Sequence, residues 1–439
     1  MYYAPVMADE LFPDVDRRPP APMADDTPPR YETANRTQVE LTPTDLEGLL
    51  PPGHAARLVW RFVEGLNLTA FYAAIKAREG GAGRPPIDPK ILVALWLYAT
   101  IDGVGSAREV DRLCYAHDAY RWLRGGVSVN YHTLSDFRVA HQAALSDLLT
   151  QSIASLRHRG IVTLARVAQD GTRIRASAGT GSFRREGTLQ ERVKEARKLV
   201  ERTARQQDGG LDRAAAAQTR AAADGLARVE EALAQLPAVA EAKQRAQSKA
   251  APRTSTTDPD ARIMKMADGG FRPAYNVHFA TDADSRAIVG VDVTRVSDDH
   301  SAFVPMVAQV HARTGTWPTK WLADAGVSSQ AGLTAVSQHG VQVYAPVPQR
   351  RGVTDPTTPR DGDSAAVRAW RQYMATADAK AIYKERSAVA EWVNADTRRH
   401  RPLTQLAVRG LPKVHTWVLW IALAHNAMRA MQIVPHLMT

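Results

Sequence analysis

The spacing of apolar residues changes near Ile161, and this change limits the possible folds of the chain more than any other feature. On its N-terminal side, residues 39–158 place apolar side chains at helical intervals, as at Leu58, Phe62 and Leu66. Beyond Ile161, short apolar runs end in an acidic residue and a glycine, which is typical of strands in a sheet. We therefore expect a helical domain followed by an α/β domain, in which helices cover the faces of a mixed sheet.

The two longest apolar runs have the length of buried helices. Residues 91–99 and 417–424 are much shorter than the ~20 apolar residues that cross a bilayer. Asp88 is placed to cap the first of these helices, and Pro89 suits its first position. The N-terminus lacks the pattern of a secretory signal and Cys114 is the only cysteine. We therefore expect a cytoplasmic protein with no membrane partner and no disulfide.

Composition divides the chain further. Residues 1–30 hold seven prolines and six acids against three arginines, which predicts an extended or disordered arm. Residues 184–250 carry 14 basic and 10 acidic side chains in a helical pattern that Gly209-Gly210 interrupts, which predicts a charged helical hairpin. The predicted parts are a proline-rich acidic arm (1–38), a helical N-terminal domain (39–158), an α/β domain (159–183 and 251–439) and the hairpin inserted into it (184–250).

The chain is basic, with 56 lysines and arginines against 46 acids and a formal net charge of +10. An excess of positive charge is a feature of nucleic-acid-binding proteins, although many basic proteins have no such partner. The short helices predicted in the N-terminal domain place Arg108, Arg121, Arg124 and Arg138 outside. This arrangement fits a DNA-binding helical module and an ordinary helical bundle equally well.

Two aspartates mark the ends of predicted strands. Asp170 and Asp324 each follow a short apolar run, and each is followed closely by glycine. Ligands of open α/β sheets lie at the carboxyl ends of strands, so both carboxylates are expected at one edge of the sheet. With a third acid from a nearby helix they would supply the oxygen ligands that Mg²⁺ prefers, and two such ions would activate a nucleophile at phosphorus. A single strand-end aspartate is more often a cap or a turn former, so the pattern alone leaves both interpretations open.

Seven short motifs follow one another between residues 38 and 432, and their order and spacing carry information. They are Gly83-Arg84-Pro85-Pro86, Gln169-Asp170-Gly171-Thr172, Asp258-Pro259-Asp260-Ala261-Arg262, Tyr275-Asn276-Val277, Asp324-Ala325-Gly326, Tyr383-x-x-Arg386-x-x-x-x-Glu391 and Arg409-Gly410-Leu411-x-Lys413. In these motifs the chain resembles the DDE transposases of bacterial insertion sequences. The branch concerned has a helical N-terminal DNA-binding domain and an RNase H-like catalytic domain that is interrupted by an insertion.

The resemblance implies a site of three acids and a set of DNA contacts. Asp170, Asp324 and Glu391 are implied as the catalytic residues and as the ligands of two Mg²⁺ ions, for which Mn²⁺ can substitute. Asp299 matches a recurring acid whose role is structural or indirect. The residues expected to contact DNA are Tyr383, Arg386, Arg398, Arg399, Lys413, Arg84 and Arg138.

Three positions depart from the family pattern or complicate it. Asn394 stands where an aromatic residue is usual, and His278 stands where glutamine is usual. Glu385 is an alternative third acid, but on a helix it lies about 120° away from Glu391. The spacing from Arg386 favours Glu391.

The implied activity is that of a transposase that binds the terminal inverted repeats of its element, cleaves the strand at each end and joins the 3′-hydroxyl to target DNA. The implied partner is double-stranded DNA, at the transposon ends and at the target. The protein would act in the cytoplasm with the nucleoid, as a homodimer or a larger synaptic assembly. Two alternatives stay open: a non-catalytic DNA-binding protein derived from a transposase, with a regulatory or architectural role, and a general RNase H-like nuclease.

Overall fold

The computed structural model describes residues 45–75, 85–207, 213–297, 299–325, 329–349 and 355–433. The arm predicted at 1–38 lies outside these ranges, as do Arg84 and the Gly209-Gly210 break predicted within the inserted helices.

Between residues 45 and 158 the described chain is mainly helical, as its apolar spacing predicts. The apolar run at 91–99 belongs to one of these helices, in which Leu95, Trp96 and Leu97 are completely buried. Its cap is the predicted one, because the Asp88 carboxylate accepts a 2.8 Å hydrogen bond from the backbone of Lys90. The helices are α1 (Ala55–Glu64), α2 (Thr69–Ala73), α3 (Pro89–Ile101), α4 (Ala107–Ala116), α5 (Asp118–Arg124), α6 (Tyr131–Ala140) and α7 (Gln142–His158).

A mixed sheet follows, and it confirms the expected fold class. The strands that the structure describes are β1 (Arg166–Arg175), β2 (Phe183–Arg184), β3 (Thr254–Ser255), β4 (Arg262–Lys265), β5 (Phe271–Asp282), β6 (Ile288–Thr294), β7 (Lys320–Leu322) and β8 (Gln342–Tyr344). In the main sheet the order is β6-β5-β1-β7-β8, and β4 pairs with the first residues of β5. The predicted hairpin is the antiparallel pair β5 and β6, whereas β1, β7 and β8 run parallel to one another.

Helices cover the sheet and join it to the N-terminal helices. The C-terminal helix packs against β6 and also against α3 and α7, so its apolar side chains belong to one continuous core. Within that core the Trp96 and Trp417 rings meet edge to face, with centroids 5.9 Å apart. No helix of the described ranges is long and apolar enough to cross a membrane. The covering helices are α11 (His300–Thr314), α12 (Gln330–Ser337), α13 (Ala365–Met374), α14 (Ala377–Arg399) and α15 (Leu411–Ile433).

Three helices interrupt the sheet between β2 and β3. They are α8 (Glu186–Gln207), α9 (Arg213–Ala234) and α10 (Leu236–Arg245). Helices α8 and α9 pack along each other, and a small cluster of Leu189, Ala232 and Leu236 holds them together. The strands β2 and β3 pair with each other where the chain enters and leaves these helices. The third helix, α10, is an addition to the hairpin that the charge pattern predicts.

The motif around Asp258 has a structural role in this fold. Oδ1 of Asp258 accepts hydrogen bonds from the Tyr275 hydroxyl at 2.7 Å and from the Gly410 backbone at 3.1 Å. Oδ2 of Asp260 accepts a bond from the backbone of Leu411 at 2.8 Å. Both side chains therefore satisfy backbone donors at the start of α15.

Candidate active site

Three acidic residues reach one cleft from three separate elements. Asp170 lies on β1, Asp324 follows β7, and Glu391 lies on α14, which packs against β1 and β5. Their side chains line a cleft of about 450 Å³. The last pair in the register of β1 and β7 joins Ala168 and Leu322, so two residues further on Asp170 and Asp324 are level with each other.

One local expectation is wrong. Asp170 does not end its strand, because β1 continues for five more residues to Arg175. Beyond Asp170, Thr172 and Ile174 are buried and the whole segment pairs with β5. Residues both before and after Asp170 pair with β5. Asp170 therefore lies inside the strand and not at its end. Asp324, by contrast, lies two residues beyond β7, as expected.

Within the described part of the chain, the carboxylate of Asp170 has two direct partners, both on α14. Nη1 of Arg386 lies 3.2 Å from its Oδ1, and Nδ2 of Asn394 donates a 2.8 Å hydrogen bond to its Oδ2. Burial raises the pKa of Asp170, and the positive charge of Arg386 opposes that rise. The charges of Asp324 and Asp299 add to the rise, which places both acids electrostatically close to Asp170.

Asp299 approaches β1 because residue 171 is glycine. A Cβ atom at Gly171 would lie 2.4 Å from Oδ1 of Asp299 and 3.0 Å from Cε1 of His278. The same Oδ1 accepts a 2.8 Å bond from Asn276 on β5 and lies 3.6 Å from Nδ1 of His278. The glycine after Asp170 thus makes room for a fourth carboxylate in the cleft.

The two candidate third acids have different surroundings. Glu391 is exposed and lines the cleft. Oε2 of Glu385 lies 2.7 Å from Nη1 of Arg166 at the start of β1, and Glu385 is not part of the cleft lining. The structure thus separates them as the helical spacing predicts.

The residues of α14 that are expected to contact DNA differ in burial and in their distance from the cleft. Tyr383 is half-buried one helical turn before Arg386, whose guanidinium contacts Asp170 in the cleft. Arg398 lines the cleft, where it donates to the Thr172 hydroxyl and to the Arg173 carbonyl. Arg399 is exposed at the last position of α14.

The other predicted contacts do not reach the cleft. Lys413 is exposed in the first turn of α15 and is absent from the cleft lining. The prediction for Arg138 is corrected by its burial, because only 6% of it is exposed. Its guanidinium donates to the Gly105 carbonyl and lies 5.1 Å from the ring centroid of Trp96 and 5.5 Å from that of Trp417. Arg138 is therefore a packing residue. Arg84 lies outside the described residues.

Two family models match the chain. A transposase domain (DUF772) matches residues 44–140, and a transposase DDE domain matches residues 248–427. The chain belongs to the DDE transposases of insertion sequences. The second match contains Asp324 and Glu391, whereas Asp170 lies between the two matches. No curated protein and no solved structure matches the chain.

The donor set of the transposase cleft is chemically suited to a divalent cation. Carboxylate oxygens are the preferred ligands of Mg²⁺, and Asp170, Asp324, Asp299 and Glu391 supply them around one cavity. Oδ1 of Asn394 is buried there and has no hydrogen-bond partner among the described residues, which leaves one more oxygen acceptor available. In the described ranges, however, no three acidic, histidine or cysteine side chains are grouped closely enough to hold a metal ion. Metal binding at this site therefore requires the carboxylates to draw closer together.

The sequence presents Asn394 only as a departure from the family and indicates no role in the site for Thr172 and Arg173. Asn394 supplies a hydrogen bond to Asp170 that a phenylalanine at this position would lack. Thr172 and Arg173 follow Asp170 closely in the chain, and both line the cleft. Their closeness to Asp170 in the sequence is the signal that could have identified them as site residues.

Proposed function

We propose that this transposase binds the terminal inverted repeats of its element, hydrolyses the strand at each end with Mg²⁺ and joins the resulting 3′-hydroxyl to target DNA. In the joining step the 3′-hydroxyl attacks a target phosphodiester, loses its proton and displaces the 3′-oxygen of the target strand. The family establishes a DNA-cutting and DNA-joining enzyme and DNA as its partner. The observation that supports the finer proposal is the meeting of Asp170, Asp324 and Glu391 in one cleft. We further propose a homodimer or larger assembly, because two ends have to be brought together, acting in the cytoplasm on nucleoid DNA.

The roles of the side chains follow from their contacts. Asp170, Asp324 and Glu391 would hold the cations, which when bound activate the attacking oxygen and stabilise the leaving oxygen. Arg386 favours the ionised form of Asp170 through its charge. Tyr383, next to Arg386, and Arg398, in the cleft wall, would contact the phosphates that flank the cut.

A cleavage and joining assay tests this proposal. The substrate is linear DNA that carries the inverted repeats flanking the reading frame, incubated with the protein and Mg²⁺. We expect cleavage at the repeat ends and joined products for the natural protein. Asp170→Asn should lose both products while its binding of end DNA changes less than about threefold.

The two alternative functions give different results in the same assay. Cleavage of any DNA without end specificity or joining would identify a general nuclease. Specific end binding by the natural protein without cleavage would identify a non-catalytic DNA-binding derivative. Cleavage by Asp170→Asn at the natural rate would remove Asp170 from the mechanism.

A further inference from the structure

A second, larger groove lies between α10 of the inserted helices and the sheet edge formed by β4 and the start of β5. Its volume is about 1120 Å³. Seven lysine or arginine side chains line it, and none of its described lining residues is acidic. A surface of one charge sign creates a positive potential that attracts anions.

Part of this positive charge lacks a nearby acid. Arg185, Lys249 and Arg253 are exposed, and among the described residues no carboxylate lies within 4.0 Å of them. Nζ of Lys243 donates only to the carbonyls of Ala250 and Ala251. Burial and the neighbouring charge of Arg253 lower the pKa of Lys243, so the positive charges of this wall repel one another. A bound polyanion would relieve that repulsion.

The same groove exposes apolar side chains. Phe271 is 65% exposed at the first position of β5, and Ile263 on β4 and Val296 after β6 are 43% and 39% exposed. An exposed aromatic ring beside unpaired cations is the combination on which single-stranded nucleic acids bind, because their bases present free faces for stacking. In a duplex the bases are stacked on each other, so their faces are not accessible to a protein ring.

The groove also adjoins the active-site cleft. Arg173 lines the cleft, and its guanidinium donates to the Lys265 carbonyl at 3.0 Å and to the Ser297 carbonyl at 2.9 Å. Ser297 lines the groove. The two cavities therefore meet at the contact between Arg173 and Ser297.

We propose that the groove between α10 and β4 binds single-stranded DNA, as the site for the unpaired strand beside the cleaved bond. Lys249 and Arg253 contact its phosphates, and Phe271 stacks on a base. The inserted helices thus take part in holding the DNA substrate. This assignment rests on the proposed function for its place in the reaction, but the binding itself requires neither metal nor cleavage.

The experiment measures binding of fluorescein-labelled DNA by the full chain in EDTA, by anisotropy. The probes are a single-stranded oligonucleotide and a blunt hairpin duplex of equal length and unrelated sequence. The double variant Lys249→Ala with Arg253→Ala should weaken single-strand binding about tenfold and flatten its log–log salt slope by about 1.4, since each phosphate contact contributes about 0.7. Phe271→Ala should weaken it by about tenfold with no change of slope. Duplex binding should change less than about twofold.

The matched control is Lys194→Ala with Lys198→Ala, which removes two exposed charges from α8 outside the groove. It should leave single-strand binding unchanged. An equal loss in this control, no loss in the groove variants or an equal loss of duplex binding would overturn the assignment. Competition by polyglutamate as strong as by the oligonucleotide would overturn it too, because charge alone would then explain the binding. Failure of end cleavage together with intact groove binding would contradict only the proposed function.

Discussion

Nη1 of Arg386 lies 3.2 Å from Oδ1 of Asp170, although 216 residues separate the two in the chain. The side chains are only 15% and 20% exposed, so their attraction is screened less than at an open surface. Burial alone would favour the neutral acid, and the guanidinium favours the carboxylate. The pair thus connects α14 to β1 and also sets the charge of the central acid of the cleft.

The charge of Arg386 should control the pH dependence of cleavage. Arg386→Gln removes the cation that lowers the pKa of Asp170, so that pKa rises further. Ionised Asp170 is then present only at higher pH, so the acidic limb of the pH–rate profile for cleavage moves to higher pH. At saturating DNA we expect cleavage at a pH below this limb to slow about tenfold for each pH unit by which the limb moves, with recovery in alkaline buffer.

Asn394→Ala provides the comparison, because it removes a neutral donor from the same carboxylate. The acidic limb should move in the same direction and by less. A loss of rate in Arg386→Gln that is equal at every pH would show that the arginine does not act through the ionisation of Asp170.

The two glutamates of α14 should respond differently to the same substitution. Glu391→Gln should slow cleavage about 100-fold or more, since it removes a charged ligand from the cleft. Glu385→Gln breaks an ion pair whose partners are 42% and 32% exposed, so we expect a stability change below about 1 kcal/mol and cleavage within about twofold of the natural rate. Rate measurements on end DNA decide between them, and the reverse order of effects would make Glu385 the third acid.

Gly171 should not tolerate a methyl group. In Gly171→Ala the new Cβ would meet Oδ1 of Asp299 at 2.4 Å, so this carboxylate has to move away from its bond with Asn276. We expect a loss of about 1–3 kcal/mol in stability and a matching loss of cleavage. Gly179→Ala is the control, because its Cβ would meet nothing within 4 Å. Thermal unfolding of both variants gives the comparison, and equal unfolding temperatures would contradict the close approach.

The ionised side chain of Asp258 should lower the free energy of unfolding at neutral pH. Burial raises the pKa of Asp258 above the ordinary 3.8, and among the described residues its Oδ2 has no hydrogen-bond partner. A raised pKa means that its contribution to stability is complete below about pH 3.8 and is lost as pH rises through the folded-state value. Asp258→Asn does not titrate and retains Oδ1 as the acceptor for Tyr275 and Gly410. The variant should unfold at a higher temperature than the natural protein at pH 7 and lose this advantage in acid. A lower unfolding temperature at pH 7 would contradict this account.

Local patterns predicted the parts of the fold that local chemistry determines. The cap at Asp88, the helix beginning at Pro89 and the hairpin of β5 and β6 follow from residues that are close in the chain. The position of Asp170 within β1 was not predictable in this way. Its strand is prolonged by pairing with β5, whose partner residues lie about 100 positions later.

The site was predictable in its acids but not in its electrostatics. The positions of Asp170, Asp324 and Glu391 followed from motifs, whereas the bond from Asn394 to Asp170 depends on how α14 lies against β1. The burial of Arg138 was missed for a related reason. A long arginine on a short helix is expected at the surface, and only the packing of α15 against α3 and α6 places its guanidinium beside two tryptophans.

The proposed cleavage and joining depend on divalent cations held jointly by Asp170, Asp324 and Glu391. The most direct measurement is the binding of Mn²⁺, followed by electron paramagnetic resonance in the complex of the full chain with end DNA. We expect Asp170→Asn, Asp324→Asn and Glu391→Gln each to weaken Mn²⁺ binding at least about tenfold, while Glu385→Gln binds Mn²⁺ as the natural protein does. Natural affinity in all four variants would contradict the account.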